Sequence, residues 1–185
     1  MGLLLIDVED ELLGMSIIDA SIYIPERLIR EVERRGFNVT DLIISTLGRD
    51  IDLKTVVEAR IELAEKYFAE AKEYVGRGDA VQASEKIYKV VEECIKALAQ
   101  HYNMPEHEVA VKEGRWWTQL LGKAARGLSR TLNEPKITDV WARAYDIYVW
   151  GFHESKYTIE DVKEDIKHID WLLNYVKQKV ASNKQ

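Results

Sequence analysis

The stretch Gly78 to Gln100, GDAVQASEKIYKVVEECIKALAQ, constrains this chain more than any other. Gly76 and Gly78 stop one helix, and the Asp79 carboxylate is placed to accept hydrogen bonds from the free N–H groups of the next helix's first turn. The new helix therefore starts near Ala80. Ala83, Ile87, Val90, Val91, Cys94 and Leu98 recur at three- and four-residue steps and form an inward stripe. Glu85, Lys86, Lys89, Glu92, Glu93 and Lys96 are left to face water. Glu85 with Lys89 and Glu92 with Lys96 stand four apart with the acid first, the more favourable order.

The same periodicity runs from Leu53 to Val75 through Val56, Val57, Ile61, Ala64, Phe68 and Ala71, with Arg60 on the apolar stripe. That arginine either snorkels to the stripe's edge or pairs with a carboxylate of a neighbouring helix, and snorkelling is the expected arrangement. A third helix is expected from Trp116 to Leu132, where Gly122 and Gly127 signal close backbone approach. A fourth runs from Thr138 to His153 and a last one from the Thr158 cap. Residues 103 to 114, with Pro105 and Gly114, read as a long connection. With only three prolines and ten glycines in 185 residues, the expected fold is all-α: an antiparallel bundle of about five main helices over residues 51–185. Residues 1–50 form an N-terminal arm and a small strand-helix-helix appendage.

Several function classes lose support at this level. A net charge of −6 opposes nonspecific coating of a polyanion. The single cysteine, Cys94, allows no disulfide framework and reads as a small buried hydrophobe. The leader Met1–Ile6 has a short apolar run without a basic flank and reads as neither signal peptide nor membrane span, which makes the cytoplasm the default. The high charged fraction is compatible with a thermophile. No Gly-rich phosphate loop, nucleophile elbow or zinc-ligand array is present, so no metal or cofactor is expected. His101 and His107, six apart across a connection, are too few for a zinc site.

The polar residues Gly78, Asp79, Ser84, Glu85, Lys86 and Lys96, with Gln82, Ala83, Tyr88 and Ala97-Leu98-Ala99, resemble the PaREP-type archaeal proteins, usually grouped with the HEPN superfamily of helical bundles. The resemblance extends through Leu63-Ala64-Glu65-Lys66-Tyr67 and Ala71 and through Trp141, Ala144 and Phe152-His153-Glu154, covering residues 52 to 180. It implies a helical module that binds a nucleotidyltransferase-like or antitoxin-like protein partner, or RNA, in a toxin-antitoxin or defence setting.

Three site readings follow. Arg143, Asp146, His153 and Glu154 fall on one strip of the otherwise apolar fourth helix. Catalytic members of the superfamily use an Arg-x-His motif across a dimer cleft, the histidine moving protons and the arginine stabilising phosphorane charge. Here the two residues are spaced more widely than in that motif and stand about 15 Å apart along one helix, so a metal-independent ribonuclease requires Arg143 from one chain and His153 from the other. The simpler reading pairs Arg143 with Asp146 on a wet edge. A homodimer through the fourth helix and the leader is expected. Second, Arg115, Trp116, Lys123, Arg126 and Arg130 form a basic and aromatic stretch suited to single-stranded RNA; the plainer reading makes Trp117 core, Trp116 packing under the connection, and the basic residues a solvated face. Third, Ser21–Ile24 followed by two short helices, the second capped by Thr40, resembles an antitoxin ribbon-helix-helix DNA-binding unit. Five arginines against five acids in residues 21–50 deny it the positive excess that phosphate contacts require.

Overall fold

The computed structural model describes residues 23–35, 37, 39–48 and 51–182. Eight helices occur among them: α1 (Glu26–Arg34), α2 (Val39–Leu47), α3 (Leu53–Gly76), α4 (Ala80–His101), α5 (Pro105–Glu113), α6 (Thr118–Thr131), α7 (Lys136–Asp146), which continues as a π-helical segment Ile147–His153, and α8 (Ile159–Ser182). No strand occurs among the described residues. Ser21 and Ile22 lie outside them, and Tyr23 and Ile24 have irregular backbone. None of the described helices is long and apolar enough to cross a membrane.

The helix boundaries follow local chemistry. Asp52 caps α3 by accepting from the Thr55 N–H at 2.9 Å. Asp79 does the same for α4 with Gln82, at 3.0 Å, after a turn in which Gly78 takes a φ of 75°. Such a left-handed backbone is one that glycine adopts without Cβ strain. Thr158 and Asp161 cap each other reciprocally at the start of α8. Thr40 lies inside α2, which begins at Val39.

α4 is the central helix. It packs against α3, the π segment, α5, α6, α7 and α8, and every residue from Glu93 to Gln100 is buried. Ile87, Val90, Val91, Ile95 and Leu98 form the middle of the core with Val57, Leu121, Leu128, Ile137, Val140, Ile147, Ile169 and Leu172. Burying each such side chain contributes roughly 1.5–3 kcal/mol. The apolar fourth helix of the sequence reading is only partly enclosed: α7 buries Ile137, Val140, Trp141 and Ala144 but exposes Tyr145, and the π segment exposes Trp150.

Three expectations are corrected. Residues 105–113 are a helix: Pro105 sits at its first turn, where a missing N–H is harmless, and Gly114 ends it with a φ of 72°. Arg60 does not snorkel; it is 4% exposed and paired. Glu93 and Lys96 are not on a wet face, because α2 and α3 cover that side of α4; Lys96 is 0% exposed. A one-helix periodicity identifies a stripe, and a helix surrounded by neighbours has none.

Close approaches mark the glycines. A Cβ on Gly127 would meet the Met104 methyl carbon at 2.7 Å, and one on Gly122 the Trp141 indole nitrogen at 3.1 Å. At Gly151, a Cβ would lie 2.2 Å from Ser84 Oγ. The π-helical turn, closed by Glu154 N–H donating to the Val149 carbonyl at 2.9 Å, sets Gly151 on α4 there. Insertions of this kind recur where a helix must be re-aimed. Beside it Tyr148 stacks on Tyr88, with ring centroids 4.0 Å apart.

Candidate functional site

The most unusual chemistry lies where α2, α3 and α4 meet. Arg60 Nη1 donates to Asp41 Oδ1 at 2.9 Å and to Glu93 Oε2 at 2.7 Å. Lys96 Nζ donates to the other oxygens of the same two carboxylates, Asp41 Oδ2 at 2.6 Å and Glu93 Oε1 at 3.0 Å. The four groups alternate in sign around a closed ring. Glu92 adds a third carboxylate to Lys96 at 2.6 Å. Such a network is stable only because each charge has oppositely charged partners in a low-dielectric surrounding.

The ring tunes its own ionisation. Burial pushes the Asp41 carboxyl up, but Lys96 and Arg60 outweigh it and hold the group below its ordinary value. Burial also opposes the Lys96 ammonium, yet Glu92, Glu93 and Asp41 together raise its pKa. Glu92 is raised, first by burial, against the pull of Lys96. Among the described residues Asp41, Glu92 and Glu93 are the one set of acids close enough to share a metal ion. The Lys96 ammonium is bonded to all three, so the cation these acids require is supplied by the chain itself.

Above the ring lies a cavity of about 150 Å³ lined by Asp41, Ile44, Arg60, Gln100, His107, Val111 and Trp116, among others. His107 and Trp116 stack with centroids 6.2 Å apart. Burial, then the Arg60 charge, lowers the His107 pKa and favours its neutral form. Three buried polar atoms of this wall have no hydrogen-bond partner: Arg60 Nε, Gln100 Oε1 and His107 Nδ1. A buried donor or acceptor left without a partner costs roughly 1–3 kcal/mol. Sequence reasoning missed this site. Its signals were an arginine on an apolar stripe and an acid pair three and four residues before a lysine.

The strip on α7 is taken apart by the structure. Arg143 pairs with Asp165 of α8 at 2.6 Å, not with Asp146, which accepts a hydrogen bond from the Tyr157 hydroxyl. His153 is exposed at the end of the π segment, its ring edge-on to Tyr148 at 4.4 Å. Glu154 is exposed just beyond it. The wider π turn between residues 147 and 153 changes the angular step on which a common strip depends.

The basic and aromatic stretch divides between two places. Trp116 and Arg115 line the cavity, and the Arg115 guanidinium lies 3.2 Å from the centre of the Trp117 ring. Trp117 is exposed rather than core, because it caps α6 from outside and donates its indole N–H to Glu113 at 2.7 Å. Further along α6, Lys123, Arg126 and Arg130 are exposed. Arg126 lines a groove of about 350 Å³ with Trp141, Tyr145, Asp146, Val149 and Trp150. Trp150 is 46% exposed there.

The residues that carry the resemblance have structural work. Asp79 caps α4 after Gly78, Ser84 seats Gly151, and Glu85 pairs with Lys89 at 2.8 Å. Lys86 bridges to Glu70 of α3 at 2.8 Å, over the Tyr67 ring, and Lys96 closes the charge ring. Cys94 is buried, and that burial raises its thiol pKa, leaving it protonated at neutral pH.

Two solved structures are similar. One is a crystal structure of a Sulfolobus solfataricus protein, 37% identical, with a TM-score of 0.58, covering 63% of this chain and 94% of that one. The other is a solution structure of the same structural-genomics target, 35% identical, with a TM-score of 0.56, covering 66% of this chain and 94% of that one. No curated protein matches. The model of the archaeal PaREP1/PaREP8 family matches residues 59–173, which take in α4, the groove beside Trp150 and three members of the charge ring, Arg60, Glu93 and Lys96, and the chain belongs to that family.

Proposed function

We propose that this protein is a noncatalytic helical module of HEPN type that grips single-stranded RNA in the groove between α6 and the π-helical end of α7. The observation that carries the reading is the meeting of Arg126 with the exposed rings of Tyr145 and Trp150 around one groove. Aromatic faces accept any base by stacking, and an arginine beside them meets the phosphate or the ring. Lys123 and Arg130 stand one turn to either side on the exposed face of α6 and extend the positive track. On α7 the Arg143 guanidinium is engaged by Asp165 and His153 leans on Tyr148, an arrangement that supports binding rather than phosphoryl chemistry. The superfamily resemblance supports a toxin-antitoxin or defence setting.

The test is fluorescence anisotropy with a labelled oligouridine in EDTA. Trp150→Ala is expected to weaken binding ~5- to ~150-fold, the worth of one stacked base, and Arg126→Ala to reduce the salt dependence as well. No binding by the wild type, or binding indifferent to both variants, overturns the reading. RNA cleavage that disappears in His153→Ala would instead establish the ribonuclease alternative. Sedimentation in parallel distinguishes a second copy from RNA: a dimer that buries Trp150 at working concentration would show that the exposed rings are the homodimer contact.

A further inference from the structure

The groove between α6 and the π segment holds one group that a grip on RNA backbone and ring faces does not need. Asp146 lines it together with Arg126, Tyr145 and Trp150 and is exposed to solvent. A carboxylate repels a phosphate chain, so a groove that read only backbone and ring faces would bind better without one. The fold nevertheless holds Asp146 in place. After the π segment the chain turns through Ser155, at a φ of 51°, and folds back so that the Lys156 and Tyr157 N–H groups donate to the Trp150 carbonyl at 2.7 and 3.3 Å. The Tyr157 hydroxyl donates to Asp146 Oδ2, a bond that pushes its pKa up to about 12 and keeps it a donor at neutral pH. One loop residue thus ties the carboxylate to the backbone of the exposed indole. Among the described residues, Asp146 Oδ1 accepts no hydrogen bond.

We infer that the groove selects guanine, the Asp146 carboxylate accepting from guanine N1–H and the 2-amino group while the base stacks on the Trp150 ring; the assignment rests on the RNA reading proposed above. A carboxylate only accepts, through two oxygens with two positions each, and Tyr157 takes one position of Oδ2. Guanine alone among the four RNA bases presents two adjacent donors on its Watson–Crick edge. Uracil sets its N–H between two carbonyls, and adenine and cytosine set an amino group beside an accepting ring nitrogen, so each turns an acceptor towards a carboxylate oxygen. Paired bonds to an ionised group are short and strong, and single-stranded RNA exposes the edge that they require. Arg126 complements the carboxylate: its Nη1 donates to the Gly122 carbonyl at 3.0 Å, and its other N–H groups remain for a phosphate.

The experiment uses the full chain and three labelled RNA heptamers, all uridine, uridine with a central guanine, and uridine with a central inosine, followed by fluorescence anisotropy in EDTA. The guanine heptamer is expected to bind about tenfold tighter than the all-uridine one, within the worth of one bidentate base contact. Inosine, which lacks the 2-amino group, is expected to fall between. In Asp146→Asn the ratio of guanine to uridine affinity is expected to fall to near one, because the amide turns a donor towards a donor. Tyr157→Phe, which removes the hydroxyl that orients the carboxylate, is expected to lower the ratio part of the way. Reading a ratio cancels the uniform gain in affinity that follows from deleting a negative charge. Guanosine 5′-monophosphate is expected to displace the guanine heptamer only at far higher concentration; displacement at equal concentration makes a free nucleotide the ligand and overturns the RNA assignment. Equal binding of the wild type to all three heptamers, or a guanine preference that survives in Asp146→Asn, overturns the selection of guanine and leaves the RNA grip standing. No binding of any heptamer overturns both.

Discussion

The two ends of α4 solve the same problem in opposite ways. Near its start, Ala83, Ser84, Ile87 and Tyr88 receive the π segment by shape alone: Gly151 rests on Ser84, and Tyr148 lies flat on Tyr88. Near its end, Glu93, Lys96 and Gln100 are buried, at 9% exposure or less, and the neighbours are held by charge. Close packing is tolerant of partner chemistry and intolerant of volume. An ion ring is the reverse. Each member has a designated partner, and apolar replacements of the whole set are often neutral or stabilising. The charged end therefore contributes specificity more than net stability, and what it specifies is the seat of α2, whose Asp41 is tied to both Arg60 of α3 and Lys96 of α4.

The most severe way to break this comparison is to remove one charge. Lys96→Met leaves three carboxylates around an apolar side chain and is expected to cost about 3–5 kcal/mol by urea denaturation. Replacing the ring together, with Asp41→Leu, Arg60→Met, Glu93→Leu and Lys96→Met, is expected to recover most of that loss. If the fourfold variant is no more stable than Lys96→Met, the ring contributes stability in its own right and the contrast drawn here is wrong.

Acid acts on the same end by titration. Asp41 is held below its ordinary value by Lys96 and Arg60 against burial, so its contribution is complete above about pH 4 and is lost as pH falls through the lowered value. His107 is likewise lowered, by burial and Arg60. Its neutral form is the stabilised one, so its share is present above about pH 6.5 and declines as the solution becomes more acidic. Glu92 has the opposite sign: raised by burial, it favours the fold below about pH 4.3 and loses that contribution as pH rises through its raised value. The urea midpoint is thus expected to begin falling below about pH 6.5 in the wild type and to fall less steeply there in His107→Gln, the remaining slope coming from His101 and His168, which burial also lowers. An identical acid limb in both proteins would remove His107 from the account.

At the shape-fitted end the sensitive position is Gly151. Gly151→Ala places a methyl inside the Ser84 side chain and is expected to cost about 1–3 kcal/mol by overpacking. In a Ser84→Gly background the same substitution is expected to cost less, and the difference measures the contact as a coupling energy. Equal costs in both backgrounds would mean that the π segment is positioned by something other than this approach.

The order of the five main helices, the caps at Asp79 and Thr158 and the stripe from Ala83 to Leu98 were all legible, because each rests on interactions within a few residues. What sequence pattern did not reveal depends on which helix lies beside which. Lys96 carries a charge and stands opposite the apolar stripe, so it reads as solvated until α2 and α3 are laid over it. Arg60 offered a snorkelling and a paired reading, and only the location of Asp41 and Glu93 decides between them. The helix at residues 105–113 was open to recognition from Pro105 at its start and Gly114 at its end, but two breakers so close together read equally well as a loop. Trp117 differs in kind: its size argued for burial, and its place as the residue before α6 puts it outside. The groove between α6 and the π segment was half visible, since Arg126 lies in the basic stretch and Trp150 in the apolar fourth helix, and only the packing of α6 on α7 brings them together.

The mildest test lies on α4 as well, at the exposed cap that precedes both ends. Asp79→Ala removes the acceptor for the Gln82 N–H and is expected to cost about 1 kcal/mol, whereas Asp79→Ser, which keeps a capping oxygen, is expected to cost a few tenths at most. Because the cap touches neither the π segment nor the charge ring, its loss measures what purely local chemistry contributes to this helix. If it exceeds the loss from Gly151→Ala, then α4 is held mainly by its own ends and the two tertiary solutions along its length matter less than their enclosure suggests. If it is smaller, as the burial of residues 93 to 100 implies, the helix owes its stability to what surrounds it, and the choice between shape and charge at each end is the variable that sets where its neighbours dock.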